Sequence, residues 1–333
     1  MKRRPLALTL GDPAGVGPEI VVKAWQALRQ EPLSFFAVGD AATLAAVGDG
    51  AAVQRIARPQ EALGAFRDAL PVLDLPLPAA VTPGRPDPAA APLVIRWIET
   101  AVELALSGEV GAIVTAPIAK APLYAAGFKF PGHTEFLGEL TAAAPYEGTR
   151  GPVMMLTARD LRVTLVTVHA PLARVPGLLT TEAIVHAGLV TAEALRRDFG
   201  VAAPRVAVAG LNPHAGESGS IGREEVDLVE PAVRALRTLG VDASGPYPAD
   251  SMFPEETRAR YDAALCLYHD QALIPVKMLD FWGGVNVSLG LPIVRTSPDH
   301  GTAFDIAGRG LARPDSLIAA LRLADAIARR RGA

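Results

Sequence analysis

The sequence predicts an α/β protein built mainly from parallel strands, and three observations carry that expectation. Short apolar runs alternate with amphipathic stretches of helical period along the chain, the pattern of strand–helix units stacked into a buried sheet. Half of the 333 residues are hydrophobic and 20% are charged, which supplies a large core and excludes a mostly disordered chain. A chain of this length is long enough for about two domains.

The runs Leu6–Leu10, Phe35–Val38, Ala112–Thr115, Leu161–Val168, Val206–Ala209 and Ala264–Leu267 read as buried strands. Helical patterns lie between them at Pro18–Arg29, Pro92–Leu106, Thr181–Phe199, Arg223–Leu239 and Asp315–Arg331. Val153–Ala158 and Leu161–Val168 flank the polar pair Arg159-Asp160. They predict two adjacent strands around a tight turn, and hence a partly mixed sheet. Pro292–Val294 reads as a further strand that ends at Arg295. Six prolines between Pro76 and Pro92 predict a stiff surface connection. The cluster Arg329-Arg330-Arg331 closes the last helix, where cations suit the helix dipole.

Composition narrows the function classes. Lys and Arg number 32 against 35 Asp and Glu, a net charge of −3, so no basic excess favours a nucleic-acid partner. One cysteine, Cys266, can form neither an internal disulfide nor a cysteine-type zinc site and fits a reducing compartment. The apolar stretch after Met1-Lys2-Arg3-Arg4 is too short for a signal peptide, and no run spans a bilayer. A soluble, cytoplasmic protein is expected.

Neither G-x-G-x-x-G nor G-x-x-x-x-G-K-[ST] occurs, which disfavours an ordinary Rossmann or P-loop nucleotide site. The chain instead carries Gly11-Asp12-Pro13-Ala14-Gly15-Val16-Gly17-Pro18-Glu19 between the first strand and first helix. Such a turn either approaches an anion closely or simply needs positive φ angles. The polar loop Ser297–Gly308 either wraps a ligand by its backbone, with His300 against a base, or is a Pro/Gly loop capped by Thr302 before a short helix.

Three of the six histidines fall where strands end. His169 closes the strand Val163–Val168, His214 follows Val206–Ala209 by one short turn, and His269 follows Ala264–Leu267 after Tyr268. Carboxyl ends of parallel strands share one edge, so three imidazoles there can converge on a divalent cation; the alternative is three separate loop histidines. Asp270 either orients an imidazole or caps the next helix. In Gly132-His133-Thr134-Glu135, Thr134 is placed to cap a helix near Glu135; either His133 lies beside an anion held at that N-terminus, or the segment is a capping turn alone. Lys277, in an apolar stretch, is either a snorkelling surface residue or a buried functional cation; with Asn286 and Arg295 it would add donors for a phosphorylated or carboxylated small molecule.

Together these motifs resemble the 4-hydroxythreonine-4-phosphate dehydrogenase family over nearly the whole chain. The resemblance rests on G-D-P-A-G-V-G-P-E at 11–19, T-A-P-I-A-K at 115–120, F-P-G-H-T-E-F-L at 130–137, V-T-V-H at 166–169, L-N-P-H-A-G-E at 211–217, G-P-Y-P-A-D at 245–250, Y-H-D-Q at 268–271 and D-H-G-T-A-F-D-I-A-G at 299–308. The first and last segments are also similar to the isocitrate and isopropylmalate dehydrogenase group. The resemblance implies two α/β/α domains with an active site in the cleft between them: residues 1–130 plus 296–333 on the cofactor side, and 131–295 for metal, substrate and dimerisation. It implies His169, His214 and His269 as ligands of zinc, magnesium or cobalt in a site shared across a homodimer. His133, Thr134, Lys277, Asn286 and Arg295 become substrate contacts, and Lys277 and Asp250 catalytic candidates. His300, Gly301, Thr302, Ala303 and Asp305 become contacts to NAD or NADP.

The implied reaction is oxidation of 4-phosphooxy-L-threonine to a β-keto acid that loses CO₂, in pyridoxal phosphate biosynthesis. The competing readings are a paralogous dehydrogenase of another phosphorylated or dihydrodiol acid, a metal-dependent hydrolase or aldolase, and a non-catalytic phosphate-binding module. The last leaves three strand-end histidines without a role.

Overall fold

The computed structural model describes residues 3–47, 50–130 and 132–332. The chain divides into two compact units, Met1–Pro145 with Leu291–Ala333, and Tyr146–Gly290. The expected boundaries lay at residues 130 and 295. His133, Thr134 and Arg295 therefore belong to the first unit, because their elements pack there. Phe136 stacks against Phe128 and Phe130, and the strand that opens at Arg295 pairs with the one containing Ile113.

The first unit contains β1 (Leu6–Thr9), β2 (Phe35–Gly39), β3 (Val53–Ile56), β4 (Leu70–Asp74), β5 (Ile113–Thr115) and, late in the chain, β12 (Arg295–Pro298). Its helices are α1 (Gly17–Leu28), α2 (Ala41–Val47), α3 (Ala62–Ala65), α4 (Ala91–Leu106), α5 (Lys120–Ala125), α6 (His133–Leu140) and α12 (Asp315–Arg330). The strand order is β3-β4-β2-β1-β5-β12, and every pairing is parallel. The apolar runs that read as strands are buried on both faces: every residue of β1 and β2 is buried. The two large tryptophans of the core keep their indole N–H groups satisfied, Trp25 on Phe66 O at 2.7 Å and Trp97 on Leu75 O at 3.0 Å.

Several elements depart from the sequence expectation. Arg295 opens β12 rather than ending a strand at Val294: Pro292 has no N–H to donate, and pairing begins where Ile113 N meets Val294 O. Strands β3 and β4 carried no apolar-run signal, since β3 is partly exposed and β4 contains Pro71. The proline-rich segment after β4 is irregular except for a turn at Pro83–Gly84, where Arg85 N donates to Thr82 O at 3.1 Å, and a short helical turn at Pro88–Ala90.

The second unit contains β6 (Val153–Ala158), β7 (Leu161–Leu165), β8 (Arg205–Ala209), β9 (Asp242–Tyr247), β10 (Ala263–Cys266) and β11 (Val285–Leu289). Its helices are α7 (Val175–Leu178), α8 (Thr181–Arg197), α9 (Glu230–Thr238), α10 (Glu255–Arg258) and α11 (His269–Leu279). The order is β11-β6-β7-β10-β8-β9. The β6–β7 pair is the expected antiparallel hairpin, turned at Arg159 with φ +52°. β11 also runs antiparallel to β6, whereas β7, β10, β8 and β9 pair in parallel. The sheet is thus mixed, and four strands deliver their carboxyl ends to one edge. The predicted helix Arg223–Leu239 begins with a wide turn over Glu225–Val229 before α9. No single helix among the described residues is long and apolar enough to cross a membrane.

Gly11 tests how tightly the first unit's edge is built. Its φ is +72°, and a Cβ there would strike the carbonyl of Pro117. Gly11→Ala is expected to destabilise the protein by more than about 1 kcal/mol, read as a lower denaturant midpoint; an unchanged midpoint would refute this close packing.

Candidate active site

The glycine-rich turn between β1 and α1 is closed on itself and on its neighbours. Ala14 N donates to Asp12 Oδ1 at 2.9 Å. Gly15 N donates to Asp12 O, and Val16 N to Thr302 O at 2.9 Å. Gly84 N reaches Ala14 O at 2.7 Å. A Cβ on Gly15 would sit 2.9 Å from Thr302 O. The amides of Asp12, Ala14, Gly15 and Val16 are thus spent within the protein, which favours the tight-turn reading. The turn is a buttress for the loop around Thr302.

That loop is not a capped helix. His300 to Ala303 is irregular, turns follow through Gly310, and the next helix is α12. Ala303 takes φ +42°, and Ile306 N closes on Ala303 O at 3.1 Å. His300 and Asp305 are exposed, and Gly301 has open space where a side chain would stand. A cleft of about 900 Å³ at the same sheet edge is walled by Pro13, Asp40, Thr43, Arg55, Gly308 and Gly310, among others, a size that admits a dinucleotide.

Arg295 is the most perturbed cation of the first unit. It is buried, and its Nε and Nη2 donate to Thr115 Oγ1 at 3.2 and 2.7 Å. Burial pulls its pKa down to about 10, while the Glu135 carboxylate works in the opposite direction. The guanidinium remains charged at neutral pH in a poorly solvated place, which is where an anionic ligand gains most from pairing. His133 lies close enough to feel that charge: desolvation first, then Arg295, holds its imidazole well below the usual 6.5. Its Nε2 is shut from solvent with no hydrogen-bond partner in the chain. His133 begins α6, whose cap is Gly132 with no side-chain bond. Thr134 therefore sits inside the first turn and does not cap it, because the helix starts two residues earlier than expected.

In the second unit the parallel strands β7, β10 and β8 lead toward the three histidines. Val166 and Thr167 prolong the ladder beyond β7 by donating to Cys266 O and Leu267 O at 2.9 and 3.2 Å. His169 follows, and its ring lies 5.7 Å from that of His269, centroid to centroid. With its proton on Nδ1, His269 donates to Asp270 Oδ1 at 2.7 Å, which leaves Nε2 for a metal. Asp270 thus orients the imidazole from within the first turn of α11, one of the two roles read for it. Gln271 ties two strand ends together: its Oε1 accepts from Leu267 N and its Nε2 donates to Gly210 O, each at 2.7 Å. His214 is exposed and does not join a three-ligand group within the one chain among the described residues.

The segment that carries His214 winds the wrong way. His214, Ala215, Gly216, Glu217 and Ser218 have φ of 54°, 51°, 76°, 44° and 55°, a left-handed turn in which four residues bear a Cβ. Each such residue costs about 1–2 kcal/mol relative to the right-handed form. Its stem is held by the buried Glu225, whose Oε1 accepts from Leu211 N and Asn212 N, both at 2.7 Å. Asn212 Nδ2 bonds Glu225 Oε2 at 2.9 Å and Glu224 Oε2 at 2.7 Å.

Of the remaining candidates, Lys277 lies in the last turn of α11 with its Nζ 5.3 Å from the Phe281 ring centre. Asn286 sits mid-strand in β11 opposite Leu156, its Oδ1 buried without a partner. Asp250 is exposed in the short turn after β9, on the same edge as the histidines. Sequence reasoning missed Thr115, Glu225 and Gln271 as supports. Thr115 and Gln271 lay inside motifs that carried the resemblance; Glu225 had no motif to mark it.

Three comparisons bear on this geometry. The family model described as pyridoxal phosphate biosynthetic protein PdxA matches residues 31–324. A 4-hydroxythreonine-4-phosphate dehydrogenase of Caulobacter vibrioides is 69% identical over 332 residues, covering 100% of both chains. The crystal structure of a 4-hydroxythreonine-4-phosphate dehydrogenase from Klebsiella pneumoniae is similar at a TM-score of 0.86 and 42% identity, covering 98% of each chain. A terephthalate 1,2-cis-dihydrodiol dehydrogenase from Burkholderia xenovorans LB400 is more distant, at a TM-score of 0.65 and 31% identity over 98% of each chain.

The burial of His133 has a measurable sign. Its pKa is depressed in the folded state, so below about pH 6.5 the unfolded chain takes up a proton that the folded one refuses, and stability falls with pH through that window. Thermal midpoints of wild type should therefore drop more steeply from about pH 6.5 to 5 than those of His133→Asn. Equal slopes would show that His133 is not held neutral by burial.

Proposed function

Because the chain belongs to the PdxA family of pyridoxal phosphate biosynthetic proteins, we propose that it oxidises 4-phosphooxy-L-threonine with NAD or NADP and a divalent metal. The product is a β-keto acid that decarboxylates to 3-amino-2-oxopropyl phosphate. The observation that carries this reading is the 69% identity across the whole chain to a dehydrogenase of that name. The bond from His269 to Asp270, which leaves the far ring nitrogen of His269 for a metal, supports the metal assignment.

The donor set fits the group. Imidazole nitrogens suit zinc or cobalt, with substrate oxygens completing the shell, and magnesium is the harder alternative. When bound, the metal supplies positive charge beside the substrate's hydroxyl oxygen and the nicotinamide supplies the hydride acceptor. The chain's own residues do the rest. His169, His214 and His269 hold the metal, with Asp270 fixing the His269 tautomer. In the first unit Arg295, His133 and Thr134 bind the anionic part of the substrate; a neutral His133 donates one N–H there without adding charge. In the second unit Lys277 and Asn286 contact substrate, and Lys277 or Asp250 takes the hydroxyl proton. The loop His300, Gly301, Thr302, Ala303 and Asp305, steadied by the glycine turn, binds the dinucleotide.

The active form is a homodimer in which each metal site combines His269 of one protomer with His169 and His214 of the other. The support is the apolar surface beside His269. Ile274 and Met278 on α11 are 62% and 83% exposed, and Phe281 and Trp282 after it are 59% and 50% exposed, a cluster that a second copy would cover. The second reading, oxidation of a cis-dihydrodiol acid, rests on a relative at 31% identity, against 69% for the first.

Steady-state turnover tests the assignment. Phosphohydroxythreonine should reduce NAD or NADP only in metal-loaded enzyme, and chelation should abolish turnover while circular dichroism stays unchanged, since the histidines hang from a preformed sheet edge. Turnover of a dihydrodiol acid alone would favour the second reading. Full activity without metal would remove the metal from the proposal.

Mixed dimers test the sharing. His214→Ala and His269→Ala are each expected to be inactive alone. In a verified heterodimer both lesions fall in one site and the other is intact, so activity should return to roughly half of wild type per dimer. A dead heterodimer would place all three ligands within one chain.

A further inference from the structure

We propose that Glu225 is the positioning residue for His214: its buried carboxylate holds the left-handed turn that presents this imidazole to the metal. The proposal rests on the reading of His214 as a metal ligand. Three observations carry it. The turn His214–Ser218 has five consecutive positive φ angles, a conformation that four of its residues would leave if unrestrained. The side chain that gathers its stem is Glu225, 1% exposed, which accepts from the amides of Leu211 and Asn212 and from the Asn212 side chain. The surrounding backbone is shaped to that carboxylate: a Cβ on Gly216 would stand 2.5 Å from Glu225 Oε2, and one on Gly210 3.1 Å from Glu225 Oε1.

A buried carboxylate is costly unless its oxygens are satisfied, and here the partners are the two amides and one side-chain amide that precede His214. The two requirements are met together. The turn keeps its handedness because Glu225 fixes the entry to it, and Glu225 is tolerated inside because the turn's stem supplies its donors. The exit is closed by Ile221 N on Gly216 O at 3.1 Å and Ser220 N on Glu217 O at 3.2 Å. Gln271 carries the same edge across to Leu267, two residues before His269, through Gly210 O. Glu225 does not touch substrate or metal; it acts through the backbone on the direction of one ligand.

Glu225→Gln places an amide N–H₂ against Asn212 Nδ2 and breaks the arrangement without changing its size. The dimeric protein is loaded with Zn²⁺ in competition with a chromogenic chelator, and with Co²⁺ for its ligand-field absorption. Glu225→Gln should weaken metal affinity 10–100-fold, the range for residues that orient a ligand, and alter the Co²⁺ spectrum, while dinucleotide binding in the first unit is retained. Asp227→Asn makes the same charge change nearby, on a carboxylate paired with Arg223, and should bind metal as wild type does. If Glu225→Gln does not fold, Asn212→Ala, which unhooks the turn but leaves the backbone amides on Glu225, should show a smaller loss in the same direction. Wild-type affinity and spectrum in folded Glu225→Gln or in Asn212→Ala, with His214→Ala impaired, would overturn the positioning role. Wild-type affinity in His214→Ala would overturn the ligand assignment itself, a separate result.

Discussion

The parallel ladder is the constraint on which the rest depends. In the second unit β7, β10 and β8 pair in register, Val163 with Ala264 and Ala264 with Ala207, so their carboxyl ends emerge side by side. Any residue just beyond those ends is delivered to one edge without help from its own loop. The ladder even overruns its strands, as Val166 and Thr167 go on bonding to Cys266 and Leu267. His169 and His269 become neighbours as a consequence of strand pairing, although 100 residues separate them in sequence.

The third histidine is placed by a different device. The loop after β8 has to change direction within a few residues, and it does so by a left-handed turn that would be unfavourable in isolation. The compensation comes from outside the loop, in a carboxylate on the following helical segment and a glutamine on α11. Positive-φ backbone, a buried acid and a metal-ligating residue type coincide, as they tend to where strain serves a function.

Much of this was legible before the structure. The buried strands announced themselves as apolar runs, the hairpin by a polar pair between two such runs, and the histidine edge by strand ends. What stayed hidden had physical reasons. β3 and β4 are short and partly exposed or interrupted by Pro71, so they lack the periodicity that marks a strand. The boundaries of the two units differ from the expected ones because Arg295 bonds Thr115, 180 residues away, and Phe136 of α6 packs on Phe128 and Phe130, contacts that an apolar-run pattern does not record. Thr115 and Glu225 act through hydrogen bonds to distant groups, and a sequence shows donors and acceptors without their pairings.

The glycine-rich turn shows why a motif must be read through its hydrogen bonds. By composition Gly11–Gly17 resembles a phosphate cradle, yet the amides of Asp12, Ala14, Gly15 and Val16 are spent on Pro117, Asp12 and Thr302, and Ala14 O accepts from Gly84 N. Its glycines serve close approach: a side chain at Gly15 would displace the 302 carbonyl, and one at Gly17 would strike Leu10 O. The turn therefore spends most of its donors within the protein. A buried cation of the same unit stands on β12: Arg295, beside Thr115 and His133. A guanidinium whose pKa burial has lowered to about 10 is still cationic at neutral pH, and its poor solvation strengthens its attraction for a ligand's negative charge. Within this unit, glycines shape and steady the backbone, and the buried positive charge stands on a neighbouring strand.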